Sequence, residues 1–368
     1  MSHRDNCRCP KCINKDTRQR NFNTFAIPSD IRPTHINSTP THVDVRWSDG
    51  HISHYDWDFL SFYLNSDRRD RRTTTNLHLW GAEIAENLPT AVYSEVMASE
   101  HAVADLTAKI KEYGFAFIKE TPFEDPDLTR QLLERIAFIR LTHYGGFYDF
   151  TPNLAMADTA YTNLALPAHT DNTYFTDPSG LQAFHLLSHT PPRPKWGEAP
   201  IEQTGGESLL VDGFNAARIL QQEDPKAYDI LSTVRLPWHA SGNAGITITP
   251  DKLYPVLELD QDTGELLRVR WNNDDRGVVP FGEKYTPTEW YEAARKWDEI
   301  LRRKESEFWI QLKPGMPLVF DNWRVLHGRS AFEGVRRICG AYINRDDWIS
   351  RWRNTNFGRK EVLDTVIG

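Results

Sequence analysis

From position 181 to position 343 the chain is a succession of short apolar runs, at 181–187, 208–211, 253–257, 266–271, 318–320 and 338–343, cut apart by Gly, Pro, Asn and Asp. No other feature restricts the fold as much. Runs this short, bounded by turn residues, read as strands, and many of them in a row point to packed sheets, a sandwich or a jelly roll. Helices are spelled out separately. Apolar residues recur at helical spacing over 99–113 until Gly114 stops them, and the stretch 115–118 behind it reads as a buried strand. A second helix is expected over about 127–141. A third carries its start signal in full: Thr286 as N-cap, Pro287 in the first turn, Glu289 to close a capping box, and a pattern that runs to about 308. The expected fold class is mainly β with flanking helices.

The amino-terminal part is written differently. Cys7, Cys9 and Cys12 crowd together ahead of a polar stretch at 28–41 and an alternating segment at 42–47, while Cys339 stands far away. Thiols so placed make a poor disulfide framework and a better metal cluster. His51 can complete a closed tetrahedral zinc site, with His54 as its rival. The basic run at 67–73 reads as a solvated linker, because like charges so dense do not pack together. Residues 1–75 are thus expected to form a small β-rich domain and 76–368 the main one. Composition narrows the partners. With 43 basic against 51 acidic residues the formal net charge is -8, which gives no electrostatic ground for nucleic acid and favours a small-molecule substrate. No apolar run is long enough for a membrane span and no secretory signal is visible, so a soluble intracellular protein without a membrane partner is expected. The 12 Trp, 18 Phe and 13 Tyr supply rings for packing and for cupping a ligand.

Two distant segments carry the chemistry. His169-Thr170-Asp171 sets an imidazole and a carboxylate two residues apart, which on a strand turns both toward one face. The segment 315–329 then delivers His327 from another strand, and Arg336 follows. Two histidines and one carboxylate leave three positions open on an octahedral Fe(II), enough for a bidentate 2-oxo acid and then O₂. Arg336 can pair bidentately with the far carboxylate of that acid.

Several stretches in order, DTAYTNLALPAHTDNTYF (158–175), TGGESLLVDGF (204–214) and DNWRVLHGR (321–329), followed by RICGAY (337–342) and NRDD (344–347), resemble the γ-butyrobetaine and trimethyllysine dioxygenases of carnitine biosynthesis. The resemblance implies a double-stranded β-helix, Fe(II) on His169, Asp171 and His327, 2-oxoglutarate held by Arg336, and ascorbate to keep the iron reduced. It implies a tyrosine cage for a trimethylammonium group on Tyr144, Tyr148, Tyr161 and Tyr342, although the family usually has tryptophan where Tyr148 stands. Asp158 occupies the place where trimethyllysine-type sequences have aspartate and γ-butyrobetaine-type sequences asparagine. Asn272 and Asn273 resemble the segment that meets the substrate carboxylate. For the cysteine cluster the resemblance selects His51 over His54. Trimethyllysine 3-hydroxylation is the expected activity, with γ-butyrobetaine hydroxylation next and a non-catalytic methyl-lysine binder as a remote third. The family also suggests a homodimer. It usually has an extra strand before Arg4, so the start reads as truncated and the compartment stays open between mitochondrion and cytoplasm.

Overall fold

The structure, a computed structural model, describes residues 1–64, 77–151, 162–192 and 204–367; the basic run at 67–73 lies outside them. Two compact units are present, Met1–Thr75 with Arg359–Gly368, and Asn76–Gly358. No helix among the described residues is long and apolar enough to cross a membrane.

In the first unit, β1 (Pro33–Ser38), β2 (His42–Trp47) and β3 (Ile52–Asp56) form an antiparallel sheet in that order. β2 and β3 alternate as half-buried strands must. Val43, Val45, Trp47 and Tyr55 turn inward onto Ile27 and Ile31, and the intervening residues face out.

The second unit holds β4 (Thr90–Val92), β5 (Phe115–Lys119), β6 (Tyr148–Phe150), β7 (Leu166–His169), β8 (Leu181–Thr190), β9 (Ser208–Asp212), β10 (Leu257–Leu259), β11 (Leu266–Val269), β12 (Phe308–Ile310), β13 (Leu318–Asp321), β14 (Val325–Arg329) and β15 (Val335–Ile343). A six-stranded sheet runs β4-β5-β13-β8-β15-β6, a four-stranded sheet β12-β9-β14-β7, and β10 pairs with β11. Phe115, Phe117, Leu186, Leu318 and Phe320 of the larger sheet pack with Leu210, Phe308 and Val325 of the smaller one. The alternate residues Ala116, Ile118, Val319 and Ala341 face the other way, with Val103, Leu106, Ile110, Leu132 and Trp348 of the outer helices. Both faces of these strands are buried, which is why they read as unbroken apolar runs. On the outer side of the smaller sheet, Leu209, Val211 and Leu326 pack with residues of the helices Gly213–Glu223, Pro225–Thr233 and Pro287–Leu301.

The local start and stop signals act as written. Ser99 caps the helix Glu100–Tyr113, Gly114 ends it at φ 81, and Thr286 with Glu289 forms the capping box. Two helices end earlier than their patterns suggest. The second stops at Ile136 because Ala137 turns extended; beyond it Ile139 bridges Ile343 and Arg140 N donates to Tyr342 O at 2.7 Å. The third stops at Leu301, and Phe308 instead enters β12, opposite Leu210 of β9. The run at 253–257 yields strand only from Leu257, Tyr254 making a single bridge to Leu236.

One buried ion pair joins these parts. Arg324 Nε and Nη2 donate to Asp212 Oδ1 and Oδ2 at 3.0 and 2.8 Å, both side chains being buried. Asp212 also caps the helix Gly213–Glu223 through Phe214 N and Asn215 N and accepts from Trp80 N, while Arg324 Nη1 donates to Glu112 O. Breaking a buried pair from one side leaves the other charge uncompensated, so Arg324→Met is expected to lower the unfolding free energy by about 3–5 kcal/mol. Chemical denaturation measures it; a loss below about 1 kcal/mol, the scale of an exposed pair, would show the pair to be dispensable.

Candidate active site

His169 closes β7, and in the antiparallel register it stands opposite His327 of β14. Thr170, between the histidine and Asp171, is pinned to the segment that follows β11: its N donates to Trp271 O at 2.7 Å and its Oγ1 accepts from Trp271 N at 3.0 Å. The Asp171 backbone is clamped by Asn322, whose Oδ1 accepts from Asp171 N at 2.8 Å and whose Nδ2 donates to Asp171 O at 2.9 Å. Three side chains then converge. Asp171 Oδ1 lies 3.3 Å from His169 Nε2 and 3.9 Å from His327 Nε2, and one ligand atom from each of the three falls within 4.8 Å of the others.

The surrounding hydrogen bonds suit a cation at that point. His169 Nδ1 donates to Pro167 O at 2.8 Å, which leaves the lone pair on Nε2, as in histidines that bind metals through that nitrogen. Asp171 Oδ2 accepts from Tyr342 Oη at 2.6 Å and Gln182 Nε2 at 2.7 Å, so Oδ1 is the oxygen left facing both imidazoles. Burial would raise the Asp171 carboxyl, but His169, His327 and Tyr342 hold it well below the usual carboxylate range. Burial, and then the neighbouring His169, push His327 down to about 3. That keeps it a neutral imidazole, the form that ligates metals.

Arg336, on β15, is only 2 % exposed. Among the described residues no carboxylate lies within ion-pair distance of it, and its Nε has no hydrogen-bond partner. Burial lowers it to about 10, with Arg329 adding to the effect. An unpaired buried guanidinium is costly, and such a group facing a cavity is a receptor for a carboxylate. Gly206, at φ +75, makes room for it, since a Cβ there would sit 3.0 Å from Arg336 Nη1. The donor set and the unmatched cation therefore fit Fe(II) with a 2-oxo acid.

His169, Asp171, His327, Gln182, Tyr342 and Arg336 line one cavity of about 480 Å³. Tyr144, Tyr148 and Tyr342 are on its wall, and the structure adds Tyr174, whose hydroxyl is 3.1 Å from that of Tyr144. The Tyr148 ring is 6.1 Å from the Tyr342 ring, and its hydroxyl donates to Ala183 O at 2.7 Å. Asn272 lines the cavity. Asn273 does not: it is exposed, and its Oδ1 accepts from Arg276 Nε at 3.0 Å. Asp158 and Tyr161 lie outside the described residues. Gln182, Asn322 and Tyr174 were not singled out in the sequence. Gln182 carried a signal, a polar side chain within the apolar run 181–187, because a buried amide demands a partner.

The cysteine cluster is a second candidate centre. His51 Nε2 is 3.2, 3.7 and 3.5 Å from the sulfurs of Cys7, Cys9 and Cys12, against about 3.5 Å between sulfur and nitrogen on a tetrahedral zinc. Arg4 is 3.6 Å from Cys12 Sγ and pairs with Asp49 at 2.9 Å, and Asp49 Oδ1 in turn accepts from His51 N. His54 bonds to Asp44 instead, at 2.9 Å.

Because Tyr342 and Gln182 alone orient Asp171 through its outer oxygen among the contacts described, Tyr342→Phe and Gln182→Leu are each expected to weaken Fe(II) binding by about 10- to 100-fold. Equilibrium metal competition measures this without turnover; unchanged affinity in both variants would remove the positioning role.

Residues 70–342 match the Taurine catabolism dioxygenase TauD, TfdA family, and residues 3–61 match the Gamma-butyrobetaine hydroxylase-like, N-terminal family. A trimethyllysine dioxygenase of Neurospora crassa is 69% identical, over 99% of this chain and 82% of that protein. The mitochondrial trimethyllysine dioxygenase of Bos taurus is 37% identical, over 95% of this chain and 80% of that protein. A gamma-butyrobetaine dioxygenase of Pongo abelii is 30% identical, over 95% and 89%. Among solved structures, a taurine dioxygenase from Burkholderia xenovorans shares the fold at a TM-score of 0.50 and 14% identity, over 70% of this chain and 88% of that one. The expected jelly roll with flanking helices is thus the observed fold, and the chain belongs to the TauD, TfdA dioxygenase family, on the branch of the trimethyllysine and γ-butyrobetaine dioxygenases.

Proposed function

We propose that this chain hydroxylates C3 of Nε-trimethyllysine, the first step of carnitine biosynthesis, with Fe(II), 2-oxoglutarate and O₂. One observation carries the reading: a cluster of two histidines and one carboxylate shares a cavity with a buried arginine that has no carboxylate partner among the described residues. The name of the 69%-identical relative supplies the substrate. His169, Asp171 and His327 would hold the iron, two imidazoles and one carboxylate being a donor set suited to it. Arg336 takes the far carboxylate of 2-oxoglutarate. When bound, iron and 2-oxoglutarate supply the oxidising power that places one oxygen atom of O₂ in a C–H bond, with succinate and CO₂ as by-products.

The remaining work of the chain is positioning. A trimethylammonium group has no N–H to donate, so Tyr144, Tyr148, Tyr161 and Tyr342 receive it on their ring faces, at about 0.5–2 kcal/mol per well-placed contact. Tyr174 braces Tyr144. Asp158 pairs with the α-ammonium, and Asn272, rather than the exposed Asn273, meets the α-carboxylate. A substrate clamped at both ends presents one carbon to the iron, and a small misplacement is costly. The same proposal includes a structural zinc on Cys7, Cys9, Cys12 and His51, ascorbate as reductant, a homodimer, and a mitochondrial or cytoplasmic location, the Bos taurus relative being named as mitochondrial.

The test is competition. Offered Nε-trimethyllysine and γ-butyrobetaine together, with Fe(II), ascorbate and 2-oxoglutarate, the protein is expected to add one oxygen to trimethyllysine only, as read by mass spectrometry. Preferential oxidation of γ-butyrobetaine would overturn the substrate assignment. Asp158→Asn is expected to lower kcat/KM for trimethyllysine by roughly 10- to 100-fold, the loss of one charge-assisted hydrogen bond.

A further inference from the structure

The outer face of the β2–β3 hairpin carries two histidines and two aspartates at directly opposed positions. In the antiparallel register His42 faces Asp56 and Asp44 faces His54, so the four alternate in a square on the side away from Val43, Val45 and Tyr55. Opposed side chains on one face are near enough to share a ligand. The contacts are close. His54 Nδ1 is 2.9 Å from Asp44 Oδ1, His42 Nε2 is 3.4 Å from Asp44 Oδ2, and His54 Nε2 is 3.5 Å from Asp56 Oδ1. The imidazole rings stand side by side, tilted by 38° with centroids 4.0 Å apart, and one ligand atom from each of His42, Asp44 and His54 falls within 4.8 Å of the others.

The loop before β2 fixes how the His42 ring is turned. His42 Nδ1 is 3.1 Å from Thr39 Oγ1 and 3.0 Å from Thr41 Oγ1, and the Thr39 hydroxyl also donates to His42 O at 3.0 Å. These contacts hold the His42 ring at its Nδ1 edge and leave Nε2 as the nitrogen turned toward the Asp44 carboxylate. The hydrogen bond from His54 also holds the Asp44 carboxyl below its ordinary range, so it is present as a carboxylate.

We propose that His42, Asp44 and His54, with Asp56 as a fourth donor, form a surface site for a divalent transition-metal ion, Zn(II) in particular, separate from the Cys7, Cys9, Cys12 and His51 cluster. The chemistry selects the class. Two imidazoles with carboxylates suit Zn(II), Ni(II) or Cu(II), whereas Mg(II) and Ca(II) take oxygen ligands. Ligands at 2.0–2.2 Å around a tetrahedral zinc stand about 3.3 Å apart, and the nitrogen–oxygen separations to Asp44 bracket that spacing. Bound there, the ion ties β2 to β3 side chain to side chain on the face turned away from Val43, Val45 and Tyr55.

The probe is Zn(II) itself. The full chain, carrying its iron and its cysteine-bound zinc, is brought to equilibrium by dialysis against low free Zn(II), and metal per chain is counted by elemental mass spectrometry. The wild type is expected to hold one equivalent more than His42→Ala, His54→Ala or His54→Gln, and Asp44→Asn is expected to lose the same equivalent, with iron content unchanged throughout. Unchanged circular dichroism of the two His54 variants, set beside that loss, assigns it to the ligand and not to misfolding. Equal zinc in the wild type and the histidine variants would overturn the proposal and leave the histidines sharing only protons with the aspartates.

Discussion

The antiparallel pairing that sets His327 of β14 opposite His169 of β7 is the constraint on which the rest of the site depends. Two segments far apart in sequence supply the imidazoles, and only a fixed strand register brings them to one point, since a slip of one residue would turn His327 to the other face. Several interactions hold that register. β14 pairs along its whole length with β9, from Val325 opposite Asp212 to Arg329 opposite Ser208. The Arg324–Asp212 pair anchors the start of β14, and Asn322, in the turn before it, grips both backbone groups of Asp171. The residues that close the fold are thus neighbours of those that shape the site.

Electrostatically the cavity is left unfinished by the protein's own side chains. Asp171 is supported on one oxygen by Tyr342 and Gln182 and exposes the other to two imidazoles, while Arg336 is buried with no carboxylate partner among the described residues. Folded proteins match buried charges almost everywhere, as Arg268 and Arg270 are matched here by Glu258. Departures from that rule gather at functional sites, where local stability is given up for a ligand that will complete the set. A metal among the three ligands and a dicarboxylate reaching Arg336 would complete both.

Much of this was legible in the sequence because it is local. Thr286, Pro287 and Glu289 specify a helix start within four residues, and His169-Thr170-Asp171 specifies a shared face within three. The rest was not, because it is decided between distant segments. Phe308 continues a helical pattern on paper, yet its burial opposite Leu210 makes it a strand residue. The apolar stretch around Val319 does not say which residues meet the smaller sheet and which meet the helices, since both sides are dry. Tyr342 reads as a ring for a cation, and only the fold reveals that its hydroxyl is spent on Asp171. Asn272 and Asn273 are adjacent in sequence, and one line of backbone geometry sends the first to the cavity and the second to Arg276.

Bound to His169, Asp171 and His327, Fe(II) would be chelated by 2-oxoglutarate, whose far carboxylate Arg336 would receive. Chelation of a 2-oxo acid to ferrous iron produces a visible charge-transfer band, so anaerobic titration of the Fe(II)-loaded protein with 2-oxoglutarate tests that arrangement before any substrate or turnover enters. A saturable band is expected in the wild type, a band that needs far more 2-oxoglutarate in Arg336→Met, and none in Asp171→Ala. Absence of the band in the wild type, or an unaltered titration in both variants, would contradict it.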